Sequence, residues 1–305
     1  MRQTLRSTLL LALALPLAAH ALPSPVDCEP EPAFRARAQA AKAAGFEVPD
    51  GEERQRLALA LAGCLGHPDP ALRDGLAYEA LATWLRADAL DPATRAALRD
   101  WLLAWLAPEA GDEAGFRAPF AALVLSEVAR TDRVSPWMTV AEREALVVAA
   151  AGYVTRLRDY RGFVDGEGWR HGLAHGADLL MQLALNPALD RGQLDRLLAA
   201  VAAQLSPAGA PAHVHGEAER LVRPVLFALQ RGLHDEAAWS AWLEESTSPA
   251  PMAAWSEAYA SEAGLARRHN VRLFLLALYA GLSESGDEGL RARLPPVVAA
   301  LRATQ

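Results

Sequence analysis

Helix-capping signals recur along this chain and constrain its fold more than any other feature of the sequence. Asp69-Pro70 and Asp91-Pro92 each place an N-cap acid before a proline at the first helical position. Thr139 and Glu142 have the spacing of a capping box, in which each side chain caps the backbone of the other. Runs that alternate polar and apolar residues, as strands do, are nearly absent. The sequence therefore predicts an all-α protein.

The capping signals open a regular series of amphipathic helices. A further capping pair, Asp50 and Glu53, precedes one helix, and an apolar stripe with helical spacing follows Asp91-Pro92. Other helices are predicted near residues 31–44, 115–130, 168–185, 191–205, 216–231, 235–246, 262–283 and 286–303. Helix pairs repeat about every 40 to 50 residues, which is the range of HEAT-like repeats. Short loops then favour a HEAT-like α-solenoid or an α/α stack of antiparallel helix pairs.

The first 21 residues have the composition of a signal peptide. Arg2 and Arg6 give a positive start, Leu9 to Leu17 form a short apolar core, and Ala19-His20-Ala21 supplies small residues at a cleavage site. We therefore predict cleavage after Ala21, a periplasmic or secreted location, and a single all-helical domain over residues 22–305. The apolar core is too short to span a bilayer comfortably, and we expect no membrane span in the mature chain.

The net charge limits the classes of partner to be expected, and the cysteine content bears on whether a disulfide forms. The formal net charge of −7 argues against a general affinity for nucleic acid. The two cysteines, Cys28 and Cys64, form an even pair in a chain predicted to be exported, which favours a disulfide. The alternative is a buried apolar Cys64 and a free Cys28.

Polar residues interrupt the alanine- and leucine-rich background between residues 159 and 180. A helix over 168–185 would place His171, His175 and Asp178 within about 60° of one another on one face. Two imidazoles and a carboxylate in that arrangement suit a three-ligand site for a divalent metal such as zinc, with an open coordination position. Glu167 or Glu219 would then be the general base.

Two other interpretations of these residues stay open. Position 172 is glycine, so the zinc-protease motif His-Glu-x-x-His and its built-in base are missing. The residues also suit a buried hydrogen-bond network in which Asp178 and Arg161 satisfy the histidines, or a ligand or catalytic pocket without metal. Gly172 and Gly176 are unusual within a helix and indicate the close approach of another backbone or of a ligand.

A second polar cluster lies at a predicted junction between a loop and a helix. It comprises His213, His215, Glu217, Glu219 and Arg220. Its histidines would add ligands to the first cluster if the fold brings the two helix starts together. The alternative is a solvated loop followed by acidic residues in a first helical turn, where the helix dipole favours negative charge.

The segment from Asp159 to Leu180 resembles the bacterial domain-of-unknown-function family 2785. The family pattern is an Asp-x-Arg-Gly-aromatic turn followed by Gly-Trp-x-His-x-x-Ala-His-x-Ala-Asp. The matching positions are Asp159, Arg161, Gly162, Trp169, His171, His175 and Asp178. Weaker similarities are Phe116-Arg117, Glu219-Arg220 and the stretch from Phe274 to Tyr279. The resemblance implies an all-helical fold and no particular activity.

These patterns favour an exported helical-repeat binding module with a polar His/Asp/Arg site on one face. The ligand would be a peptide, a protein or a small molecule. The ligand-binding candidates are Asp159, Arg161, Trp169, His171, His175, Asp178, Glu219 and Arg220. The alternative is a metal-dependent hydrolase with His171, His175 and Asp178 as metal ligands, and the sequence leaves open whether the protein is an enzyme.

Overall fold

A computed structural model describes residue 28 and residues 32–108 and 110–304. The predicted signal peptide, residues 1–21, lies outside the described residues. Of the described residues, 69% are helical, and the strands form one two-stranded sheet, so the predicted all-α fold class is confirmed. None of the helices in this part of the chain combines the length and the apolar character needed to cross a membrane.

Fourteen α-helices span most of the described chain. They are α1 (Pro32–Ala43), α2 (Gly51–Ala62), α3 (Pro70–Leu72), α4 (Glu79–Arg86), α5 (Pro92–Trp105), α6 (Arg117–Val134), α7 (Val140–Arg156), α8 (Gly172–Ala184), α9 (Arg191–Leu205), α10 (Glu217–Gln230), α11 (Glu236–Ser246), α12 (Glu262–Ser283), α13 (Glu288–Arg291) and α14 (Leu294–Ala303). A π-helical turn, Arg73–Tyr78, joins α3 to α4, and 3₁₀ turns occupy Gly63–Gly66 and Trp255–Ala260. Strands β1 (Phe163–Val164) and β2 (Gly168–Trp169) pair antiparallel.

The predicted caps are present where the sequence places them. The Asp69 side chain accepts the amide hydrogen of Ala71, and Asp91 accepts that of Thr94. At α7, Thr139 and Glu142 each cap the backbone of the other in a complete capping box. Because each cap satisfies amides at a helix start that would otherwise lack partners, these starts are fixed by local sequence.

Two predicted helices are wrong in their boundaries. The helix predicted over 168–185 begins only at Gly172, because residues 168–169 form β2 and Gly168 has a φ of +79°, outside the helical region. The helix predicted over 286–303 is two helices, α13 and α14. Proline in the first turn of α14 lacks the amide hydrogen that a continuous helix would need.

Five helices form a row through the molecule. In this central row, α4, α6, α8, α10 and α12 each pack against the next. The helices α5, α7 and α9 cover one side of it, with α5 on α6, α7 on α8 and α9 on α10, and α7 also packs on α9. Large buried side chains such as Phe120, Leu180, Leu221 and Phe274 fill the space between helices. This layering accounts for the strong helical signal, since each helix of these two layers buries apolar residues.

The predicted disulfide between Cys28 and Cys64 is confirmed. The two Cα atoms are 4.7 Å apart, and Cys64 is buried in the 3₁₀ turn that follows α2. The bond links residue 28 to the core formed by the first helices.

Candidate functional site

The motif segment folds as a short hairpin that leads into α8. Gly166, in the turn between β1 and β2, and Gly168, the first residue of β2, both have positive φ and let the chain reverse direction. Beyond the strands, the amide of Arg170 donates to the carbonyl of Gly162 at 3.0 Å, and that of His171 donates to Arg161 at 3.1 Å. The hairpin therefore places the Trp169 and His171 side chains at the N-terminal end of α8.

Two buried arginines fasten this hairpin to the core. The guanidinium of Arg73 is fully buried 4.0 Å from the centre of the Phe116 ring, and its Nη2 donates to the carbonyl of Glu167 at 2.9 Å. Arg170 lies over the same ring at 4.3 Å and donates to the carbonyl of Ala114 at 2.8 Å. Cation–π contacts of desolvated guanidinium groups are among the stronger ones, so the hairpin is held rigidly.

His171 is the N-cap residue of α8 rather than part of the helix. Its backbone is left-handed, with a φ of +54°. The Nε2 atom donates a hydrogen bond to the carbonyl of His215 at 2.9 Å, and the ring stacks on Trp169 with centroids 4.6 Å apart. Burial lowers the pKa of His171. The side chain is therefore a neutral imidazole protonated on Nε2.

His175 is a neutral core residue. Its ring packs edge-on against Phe120 with centroids 5.3 Å apart. Burial, together with repulsion from His171 once it is protonated in acid and from Arg220, lowers the pKa of His175 to about 3. No hydrogen-bond partner for its Nδ1 lies among the described residues.

Asp178 is paired with arginines from α10, not with the histidines. It accepts a hydrogen bond from Arg220, and Nη1 of Arg223 lies 3.7 Å from its Oδ1. Burial raises the pKa of Asp178, and the charge of Arg220 opposes that shift. The predicted network in which Asp178 and Arg161 satisfy the histidines is therefore wrong in its partners.

The three predicted metal ligands are not brought together as a ligand set. His171 uses Nε2 for the carbonyl of His215, and the oxygens of Asp178 face two guanidinium groups. Within residues 28, 32–108 and 110–304, no group of three or more His, Cys, Asp or Glu side chains is arranged to hold a metal ion.

Side chains of α7 explain the two glycines at the start of α8. A Cβ atom at Gly172 would lie 2.9 Å from the Tyr153 hydroxyl, and one at Gly176 would lie 2.7 Å from Cγ2 of Val154. The expected close approach is real, but packed side chains make it, not a backbone or a ligand.

Asp159 and Arg161 form a half-exposed pair beside the hairpin. The backbone amide of Arg161 donates to Asp159 at 3.0 Å, and its Nε donates at 2.8 Å. Burial alone would raise the pKa of Asp159, but the hydrogen bonds from Arg161 outweigh it, so the pKa is lowered. The pair sits directly over Gly115, where a Cβ would lie within 2.5 Å of both side chains.

Only part of the second predicted cluster joins the first. The His215 ring lies against Gly162, with an edge-on contact to Trp169 at 5.9 Å. His213 is buried against α12 instead, where its amide donates to Asn270 at 2.7 Å. Glu219 is exposed in the first turn of α10. The two helix starts therefore meet through His171 and His215.

An exposed aromatic pair marks the outer surface of this site. Phe163 is 49% exposed and Trp169 is 40% exposed, with ring centroids 5.2 Å apart. Val214, which is 68% exposed, precedes His215 in the adjoining loop. We call Phe163, Trp169, His171 and His215 the aromatic–histidine cluster.

A cavity of about 280 Å³ lies near the cluster, between the starts of α6 and α8 and the end of α5. Its apolar walls include Trp105, Tyr153 and Leu157, and its polar lining includes Asp159 and Arg170. This volume is close to the lower limit for small-molecule pockets.

Residues 102–280 match a family model described as Protein of unknown function (DUF2785). The chain belongs to this family. The resemblance inferred from the motif is thereby confirmed. The DUF2785 region runs from the later part of α5 into α12 and includes the hairpin, α8 and α10. Comparisons with curated proteins and with solved structures gave no match.

The DUF2785 motif did not reveal every residue that shapes the site. Arg170 and Phe163 lie within the motif segment, so their place in the sequence was a signal that they belong to the site. Arg73 lies outside the matched region, and Arg223 contacts Asp178 from another helix. Nothing local in the sequence indicates those two contacts.

Proposed function

We propose that this DUF2785 protein is an exported binding module whose ligand site is the aromatic–histidine cluster with Arg220 beside it. The predicted signal peptide and the Cys28–Cys64 disulfide support export, because disulfides persist in oxidising compartments. The ligand we propose is a polypeptide segment.

The exposed pair of Phe163 and Trp169 is the observation that carries this proposal. The two rings lie at the surface on a hairpin that the buried Arg73 and Arg170 attach to the core through hydrogen bonds. Rigid, exposed aromatic rings lose little conformational entropy on binding and are typical anchor residues of protein interfaces. A stack of Trp169 on His171 adds stiffness on the inner side.

The surface that continues from the cluster favours an extended ligand. Arg220 is close enough for its charge to lower the pKa of His171, and it bonds to Asp178 one helix away. Further along, Arg133 of α6 donates to Gln182 of α8 at 3.2 Å. Polar side chains thus connect α6, α8 and α10, and a peptide that lies over the arginines at their ends would contact all three helices.

Selection from a phage-displayed library of random peptides tests this proposal. The immobilised, disulfide-bonded mature protein should enrich a peptide consensus. A variant that combines Phe163→Ala with Trp169→Ala should lose that enrichment. The matched control is Val140→Ala, which removes an exposed apolar side chain at the start of α7. Equal enrichment by the double variant, or none by the wild type, would contradict the proposal.

A further inference from the structure

Arginine side chains from two helices converge on one strip of α8, in which Asp178 is buried and Gln182 is half-buried. Arg133 of α6 donates to Gln182, and Arg220 and Arg223 of α10 face Asp178. Asp178 and Gln182 are four residues apart, so they lie on adjacent turns of the same helix face. The cations therefore flank a single strip of α8 from both sides.

The acidic groups on this strip do not balance its positive charge. Asp178 faces two guanidinium groups, so one positive charge stays in excess there. Arg133 contacts the neutral amide of Gln182, and burial together with the charge of Arg130 lowers the pKa of Arg133. Glu127 of α6 is already paired with Arg86.

The strip thus has a positive excess on a chain whose formal net charge is −7. Arg223 is exposed, and Arg130, Arg133 and Arg220 are half-buried. Partly desolvated guanidinium groups bind carboxylates strongly and with defined geometry. A local patch opposite in sign to the whole protein indicates a specific anionic partner.

Building on the proposed function, we propose that the polypeptide ligand is acidic and that its carboxylates bind Arg133 and Arg223 on either side of the Asp178–Gln182 strip. An apolar or aromatic side chain of the same peptide then reaches the aromatic–histidine cluster. The net negative charge of the rest of the protein disfavours a long polyanion such as nucleic acid, which would be repelled beyond the strip.

Fluorescence polarisation with labelled decaglutamate tests this inference directly, with decalysine and a neutral Gly-Ser peptide of equal length as reference probes. Decaglutamate should bind most tightly, and added salt should weaken it because salt screens exposed charges. Combining Arg133→Gln with Arg223→Gln should weaken binding about 10-fold or more, the effect of losing two charge-assisted hydrogen bonds. Arg223→Gln alone, at an exposed position, should give part of that loss without disturbing the fold.

The matched control combines Arg191→Gln with Arg196→Gln on α9. Both residues form exposed ion pairs, with Asp195 and Glu144, and the double change removes the same charge. Its affinity for decaglutamate should stay within about 2-fold of the wild type. Circular dichroism of each variant checks that the helices are retained.

Three results would overturn the inference. The first is that decaglutamate binds no more tightly than the neutral peptide. The second is that the Arg133 and Arg223 variants bind decaglutamate with unchanged affinity. The third is that an oligonucleotide of the same charge binds as tightly as decaglutamate. A phage selection that enriches non-acidic peptides through Phe163 and Trp169 would leave the binding function standing and overturn the acidic preference alone.

Discussion

His171 donates a hydrogen bond from Nε2 to the main-chain carbonyl of His215 at 2.9 Å, so one imidazole ties the start of α8 to the loop before α10. The same ring stacks on Trp169. Because the carbonyl can only accept, the bond fixes the neutral tautomer with hydrogen on Nε2. His171 thus sets both the position of the exposed tryptophan and the spacing of two neighbouring helices.

The left-handed backbone at His171 predicts an unusual order of variant stabilities. His171→Ala and His171→Gly both lose the bond to His215 and the stack on Trp169. Alanine must also keep the positive φ, which costs about 1 kcal/mol that glycine avoids. Urea unfolding should therefore rank wild type above the glycine variant and the glycine variant above the alanine variant. An alanine variant more stable than the glycine variant would contradict this reasoning.

Local sequence predicted the helix starts but not the start of α8. The caps at Asp69, Asp91 and Thr139 act within three residues, so their effect can be read from the sequence. At residues 168–171 the helical spacing of the motif was misleading. Arg73, far away in the chain, holds the carbonyl of Glu167 and stabilises a hairpin there instead.

Partners of the predicted site residues were also set by tertiary packing. Of the predicted site residues His171, His175 and Asp178, the structure brings the rings of His171 and His175 to 5.7 Å from each other. The assignment of Asp178 to the histidines was wrong, because the parallel packing of α8 and α10 brings Arg220 and Arg223 to it. Such contacts between distant segments leave no periodic signal in the sequence.

Asp178→Asn should lower the free energy of unfolding by about 1 to 3 kcal/mol, since it leaves two guanidinium groups without their carboxylate. A chelator should leave the melting temperature of the wild type unchanged, because the contacts of His171 and Asp178 are with protein groups. Glu219→Gln is the matched control at an exposed position and should change stability by less than about 0.5 kcal/mol. A chelator-induced drop in the wild type that the Asp178 variant lacks would instead indicate a metal site.

Acid should destabilise the protein through His175. The pKa of His175 is about 3 when folded and about 6.5 in the unfolded chain. Between these values only the unfolded chain binds the proton, so stability falls by about 1.4 kcal/mol for each pH unit lost. Above about pH 6.5 the residue is neutral in both states and contributes no pH dependence.

His175→Gln should remove this contribution. Urea unfolding of both proteins between about pH 7 and pH 4.5 should show that the wild type loses about 2 to 3 kcal/mol more than the variant. Other titrating groups, including His171 and Asp178, are common to both proteins and cancel in the difference. Parallel stability curves over this range would show that His175 titrates normally in the folded protein.

Removing the disulfide should destabilise the folded chain without changing the exposed aromatic pair. Combining Cys28→Ala with Cys64→Ala frees a loop of about 37 residues, which the chain-entropy description places at about 4 kcal/mol. Chemical denaturation of the variant and of the wild type under oxidising conditions measures the difference. Reduction of the wild type should reproduce the effect, and a reduced protein as stable as the oxidised one would contradict it.

Gly176→Ala should be destabilising although alanine favours helices. The new Cβ would lie 2.7 Å from Cγ2 of Val154, a fully buried and branched side chain, so α7 and α8 would have to separate. Overpacking of this kind costs about 1 to 3 kcal/mol, which exceeds the gain of about 1 kcal/mol from helix propensity. Gly192→Ala in α9 is the matched control, because its Cβ would meet only Asp190 at an ordinary 3.5 Å. Urea unfolding should show a neutral or stabilising effect there, and adding Val154→Ala should partly rescue the Gly176 variant.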